Sequence, residues 1–182
     1  MRAAAPSATR AALTLLAAFL CLPALAARAP NLTLKDLSGA RQKLSGLRGH
    51  IVVLNFWATW CGPCQQELPR LAQLAQQASG QNVRFVAVSI DDTKDQPKIR
   101  PDLDRLHVAL APNFSVWTGS TSYALASFGL GSVVPGTAIL DRDGTIVTRI
   151  QGEAREADIR ATVDWLLNNR SGPPPPALIR RY

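Results

Sequence analysis

"FWATWCGPCQQELPRL", residues 56–71, sets Cys61 and Cys64 two residues apart, behind Trp57 and Trp60 and at the head of a helical-looking run. A pair so spaced serves as a metal clip, a structural staple or a working redox couple. Upstream, "IVVLNFWA" (51–58) is β-branched and aromatic, with Asn55 as its one polar residue, the pattern of a strand buried on both faces of a sheet. Downstream, Pro63 suits the first helical position, and Leu68, Leu71, Leu74 and Ala75 recur at helical spacing as far as Ser79-Gly80. Pro69 is expected to kink that helix. The cysteines therefore stand where a buried strand meets a helix.

Further along, "VRFVAVSID" (83–91) reads as a second buried strand, so the strand-helix-strand order implies a parallel, right-handed crossover. The polar stretch after it holds a loop and a short helix following Pro101, with Leu103 and Leu106 inward. Residues 111–134 mix turn formers with one amphipathic segment around 121–128. "TAIL" and "TIVTRI" flank Asp143-Gly144, a strong hairpin signal, and are expected to form the antiparallel edge of the sheet. "READIRATVDWLLNN" closes the domain as a helix with Ile159, Val163, Leu166 and Leu167 on one face. Before all of this, "LTLKDLSGARQKLSGLRGH" alternates around Ser38-Gly39 as a short hairpin. The sum is an α/β domain with a central mixed sheet flanked by helices and an N-terminal β extension.

The chain begins with Arg2 and Arg10, an apolar run from Ala11 to Leu22, Pro23, and small residues at Ala24 and Ala26, which is a secretory signal layout. Cleavage after Ala26 is expected. The alternative is an uncleaved anchor, although residues 11–27 as a helix would reach only about 25 Å against a hydrocarbon core of about 30 Å. Cys21 lacks the residues usual before a lipidated cysteine and falls within the signal. The expected organisation is thus a signal peptide at 1–26, one domain at 27–170 and a Pro-rich tail at 171–182. The tail, "SGPPPPALIRRY", reads as an extended, exposed spacer, with a polyproline ligand as the alternative.

At 182 residues, 47% hydrophobic and 18% charged, the chain has the composition of an ordinary folded domain rather than a disordered one. Its net charge of +7 comes from basic residues scattered singly, without the clustering and interleaved aromatics of a nucleic-acid site. Loss of the signal would leave Cys61 and Cys64 as the only cysteines in an exported, oxidising setting.

Helix amino termini carry unsatisfied amides and partial positive potential, both of which stabilise a thiolate. Cys61, at the helix edge, is expected to have a lowered pKa and to attack; Cys64, one turn in, is expected to resolve the mixed disulfide. Gly62 admits a substrate backbone, and Pro63 stiffens the loop. No cofactor is needed beyond the redox-active disulfide itself.

"NFWATWCGPCQQELPRL" followed far downstream by "SVVPGTAILDRDGTI" resembles the TlpA-like and ResA-like (CcmG-type) branch of the thioredoxin superfamily, the exported thiol:disulfide oxidoreductases. The resemblance covers about Leu32 to Asn168. It implies a thioredoxin-like fold, a cis peptide bond at Pro135 beside the cysteines, and pairing of a substrate strand with the backbone of Val134. It implies that Asn55 replaces the buried aspartate of cytosolic thioredoxins and that Glu67, three residues after Cys64, accepts a proton instead. Read without the resemblance, Glu67 is a favourable acid in the first turn of a helix. A peroxidase reading fails because peroxiredoxins carry Thr where this chain has Ala58.

Trp57 and Trp60 are expected to pack under the site; Trp117 and Tyr123 line a groove or fill core. His50 and His107 could complete a zinc site by count, but His50 belongs at the far end of the buried strand. Three functions remain: a reductant of protein disulfides, a disulfide oxidant or isomerase, and a copper metallochaperone using both thiolates. The Gly-Pro pair between the cysteines resembles the reducing type. The resemblance then implies a membrane dithiol relay of the DsbD or CcdA kind as electron donor, and apocytochromes c or a copper-site protein as clients. The expected location is the periplasm or the extracytoplasmic face of the bacterial inner membrane.

Overall fold

The computed structural model describes residues 27–181, so the proposed signal segment and Cys21 lie outside the described residues. Eight strands form one mixed sheet in the order β2-β1-β5-β4-β3-β6-β7-β8. β3 (Ile51–Trp57) is buried along its whole length and is central, parallel to β4 (Val83–Ser89) and antiparallel to β6 (Gly136–Leu140). Its apolarity, broken only by Asn55, follows from having strands on both sides and packed layers on both faces.

The crossover from β3 to β4 is α1 (Gly62–Gln77), which packs on β4 and β5 (Phe114–Thr118). Glycine takes the first helical position and Pro63 the second, one later than expected. The helix continues through Pro69 to Gln77. A 3-10 turn at Gln96–Lys98 leads into α2 (Ile99–Arg105), which buries Ile99 and Leu103. β5 then runs parallel to β4. α3 (Ser122–Ser127) precedes β6, β7 (Ile146–Gly152) pairs antiparallel with β6, and α4 (Glu156–Leu167) packs on β3, β6 and α1.

Side-chain alternation along β3 sorts the two faces. Asn55 reaches Glu67 of α1, so Phe56 points the other way, where its ring meets Phe128 at the end of α3 with centroids 5.3 Å apart. Both rings are fully buried. Phe56→Ala is expected to lower unfolding free energy by about 3–5 kcal/mol, from lost transfer energy and the cavity left behind, as read from urea denaturation.

The N-terminal extension is a hairpin of β1 (Thr33–Asp36) and β2 (Arg41–Lys43), joined to the sheet through β5. Asp36 closes its turn by accepting from the Ser38 and Ala40 N–H groups at 2.9 and 3.0 Å. In the second hairpin, Gly144 takes the left-handed φ of +71° that the turn requires.

Two expectations are corrected. The tail at 171–182 is not a free spacer, because β8 (Leu178–Arg181) adds to the sheet parallel to β7. The edge of the sheet is consequently β8, and the β6–β7 hairpin lies inside it. Pro173–Pro176 supply the extended connection, whose last carbonyl accepts from the Thr148 hydroxyl at 3.0 Å.

Candidate active site

The parallel strands β3 and β4 end side by side, and β6 starts beside them. Because Phe56 pairs with Gly136, the Val134–Pro135 segment falls next to the end of β3, where the chain turns into the cysteine loop. The Val134–Pro135 peptide is cis, and both residues are buried. The site thus lies at the carboxyl ends of parallel strands, where α/β sheets place their chemistry.

Cys61 is the N-cap of α1 and is disulfide-bonded to Cys64, with Cα atoms 5.2 Å apart. Its Sγ accepts from the Cys64 N–H at 3.2 Å. This is the helix-terminus amide that the sequence promised, now aimed at the sulfur expected to become a thiolate. Cys61 retains 5% exposure and Cys64 none, so Cys61 is the more accessible of the two sulfurs. Trp60 does not pack under the site as expected: it is 64% exposed, on the rim before Cys61. Trp57 is fully buried in β3, and Trp117 is a core residue of β5, whereas Tyr123 projects into solvent.

The loop before Cys61 is anchored by a carboxylate that sequence reasoning missed. Asp91, buried just beyond β4, accepts from the Thr59 N–H at 3.1 Å, the Thr59 hydroxyl at 2.7 Å and the Ser89 hydroxyl at 2.7 Å. Gln65, in the first turn of α1, donates to the Thr59 carbonyl. Thr59 is therefore held from both sides, two residues from Cys61. Nothing local marks this link, since Thr59 and Asp91 are 32 residues apart.

Glu67 lies one turn beyond Cys64 on α1 and is 1% exposed. Its Oε1 accepts from the Ala154 N–H at 2.9 Å, and its Oε2 accepts from Asn55 Nδ2 at 3.3 Å. Asn55 also donates to the Thr137 hydroxyl at 3.0 Å. Burial pushes the Glu67 pKa up to about 7, against the opposing pull of the Ala154 and Asn55 hydrogen bonds. Asn55 is a fitting neighbour, because an amide can donate to a carboxylate or, turned over, accept from a carboxylic acid. An aspartate there would instead set two acids in one buried site.

The raised pKa fixes a stability prediction. The unfolded carboxyl loses its proton near 4.5, while the folded one keeps it to about 7. Stability is full below the lower value and falls as pH rises through the upper one, by about 3 kcal/mol in all. Urea midpoints of the oxidised protein are expected to drop across that window, and Glu67→Gln should remove the slope.

His50 sits just before β3, at the end away from Cys61, and His107 follows α2; no group of three or more metal-ligating residues occurs among the described residues. Two sulfurs, a helix terminus and a buried acid are suited to thiol–disulfide exchange.

Comparison with known proteins agrees. Residues 25–149 match the AhpC/TSA family. The chain is 30% identical over 137 residues to the thiol-disulfide oxidoreductase ResA of Geobacillus thermodenitrificans, covering 75% of each. It is 32% identical over 131 residues to ResA of Bacillus subtilis, covering 72% of this chain and 69% of that one. Among solved structures, a putative thiol:disulfide interchange protein DsbE from Chlorobium tepidum superposes with a TM-score of 0.63 at 26% identity, over 80% of this chain and 96% of that one. A putative thiol-disulfide oxidoreductase from Bacteroides vulgatus gives 0.62 at 25% identity, over 78% and 95%. The family match runs from before β1 into β7 and takes in the cysteine loop, and on these matches the chain belongs to the AhpC/TSA family, within it to the thiol-disulfide oxidoreductases of the ResA and DsbE type.

Proposed function

We propose that the protein is exported and reduces disulfides in partner proteins outside the cytoplasm, with Cys61 as nucleophile, Cys64 as resolving thiol and Glu67 as proton acceptor. The observation that carries this reading is the buried Glu67, one helical turn behind a fully buried resolving sulfur and with a pKa near neutrality. In the reduced protein the Cys61 thiolate attacks one sulfur of a client disulfide. A new S–S bond forms, and the client's other sulfur leaves as a thiolate. Glu67 takes the Cys64 proton, and the Cys64 thiolate attacks Cys61, releasing the second client sulfur. Two electrons pass to the client, and Cys61–Cys64 ends as the disulfide seen in the structure.

Val134 offers its backbone to an extended client segment, and Pro135 flanks the sulfurs without an amide hydrogen of its own. Trp60, exposed at the rim, and the exposed Gly62-Pro63 start of α1 complete the contact surface. Residues 1–26 serve as export signal or anchor, which puts the domain in the periplasm or on the outer face of the inner membrane. Such a reductant needs electrons there, which a DsbD- or CcdA-type dithiol relay supplies; its clients are apocytochromes c or a copper-site protein. The test is thiol trapping in cells. Cys61 and Cys64 should be largely reduced when the relay is present and oxidised when it is deleted; a pair oxidised in both backgrounds contradicts the reading.

A further inference from the structure

The C-terminal strand lies beyond residue 149, where the family match ends, yet it is tied to the redox centre in two steps. β8 pairs with β7 so that Arg181 stands opposite Gly152. There the two backbones are in such close approach that a Cβ on Gly152 would lie 2.1 Å from the Arg181 carbonyl oxygen, and Gly152 has a φ of +89°. The Arg181 side chain clamps the strand by binding both carboxylate oxygens of Asp158, at the start of α4, at 2.8 Å. The other side of Gly152 faces the site, where its N–H donates to the carbonyl of cis-Pro135 at 3.0 Å. Two residues on, the Ala154 N–H donates to Glu67.

We propose that the C-terminal strand is a positioning element of the redox centre: clamped by Asp158, it fixes the Gly152–Ala154 turn from which the Ala154 N–H holds Glu67. The strand touches no reacting atom, so Arg181 and Gly152 are positioning residues, and the inference rests on the proton role proposed for Glu67. In the oxidised chain the sulfurs do not titrate. The charged groups facing Glu67 are Glu153 and Arg70, which pair with one another; Asn55 and the Ala154 N–H are its neutral donors. On α4, Glu156 pairs with Arg160, and Asp158 pairs with Arg181.

The test is a direct titration of the Glu67 carboxyl by carbon-detected NMR, in the oxidised chain and in Arg181→Ala, Arg181→Lys and Gly152→Ala. Releasing the strand weakens a hydrogen bond that favours the carboxylate, so Glu67 in Arg181→Ala is expected to titrate higher by roughly half a pH unit or more. The Lys variant should remain near the parent. Arg181→Ala also leaves Asp158 unpaired, which pushes in the same direction; Gly152→Ala changes no charge and is expected to shift Glu67 the same way through the clash with β8. A merely structural strand would lower the unfolding midpoint and leave the titration where it was. An unchanged Glu67 titration in both Arg181→Ala and Gly152→Ala overturns the inference. Because the readout is the carboxyl itself, it stands apart from the proton role, which fails if Glu67→Gln leaves turnover unchanged at every pH.

Discussion

A Cys64→Ser variant is expected to accumulate a stable mixed disulfide between Cys61 and its client, whereas Cys61→Ser traps nothing and loses turnover by at least about 10³-fold. The asymmetry comes from the helix start. Cys61 is the N-cap, its sulfur accepts the Cys64 N–H, and it keeps the small exposure that Cys64 lacks. An amide pointing at a sulfur favours its thiolate, and the thiolate is the attacking species. Cys64, fully buried behind it, meets only the Cys61 sulfur once that sulfur is joined to the client, and the two-residue spacing makes its attack intramolecular and fast. With serine at 64 that second attack has no nucleophile, so the first intermediate persists. Non-reducing gels of each variant, after incubation with a disulfide-containing protein, read the result; equal trapping by both would reverse the assignment.

Glu67→Gln is expected to slow turnover by about 10²-fold near neutral pH and to change the shape of the profile. With its pKa at about 7, Glu67 is a carboxyl at mildly acidic pH and a carboxylate above neutrality. The parent rate should therefore climb through that value as the acid becomes able to take the Cys64 proton. The glutamine variant can keep an acceptor toward the Ala154 N–H but has no proton site, so it loses this limb. Above about pH 9, where an ordinary thiol ionises unaided, the two should converge. Stopped-flow rates of mixed-disulfide resolution across pH are the measurement, and superimposable profiles would return Glu67 to a purely structural role.

β3 was legible because it is buried on both faces, so its seven residues are apolar except Asn55. α1 was legible from its leucine spacing, and the β6–β7 hairpin from Asp143-Gly144. β5 was not, because "FSVWT" is five residues long between turn formers, and its pairing with β4 and β1 is a long-range matter. β8 was missed for a related reason. Four prolines suggest a spacer, and what docks the strand behind them is Asp158 and the bare backbone at Gly152, neither readable from the tail.

In the site, the spacing of Cys61, Cys64 and Glu67 on one helix is local and was readable. The partners that tune them are not. Ala154 is 87 residues from Glu67, and Asp91 is 32 from Thr59. The backbone amide at 154 has no side-chain signature at all. Trp60, expected to pack under the site, lies three residues past β3, in the turn where the chain leaves the core.

Whether the Cys61–Cys64 pair works as a reductant is read from its reduction potential. The chain beginning at Ala27 would be equilibrated in dithiol–disulfide buffers and followed by tryptophan fluorescence. A reductant is expected to give a value near or below about −250 mV, in the range of reducing thioredoxins; a value above about −180 mV would make the protein a disulfide donor or isomerase instead.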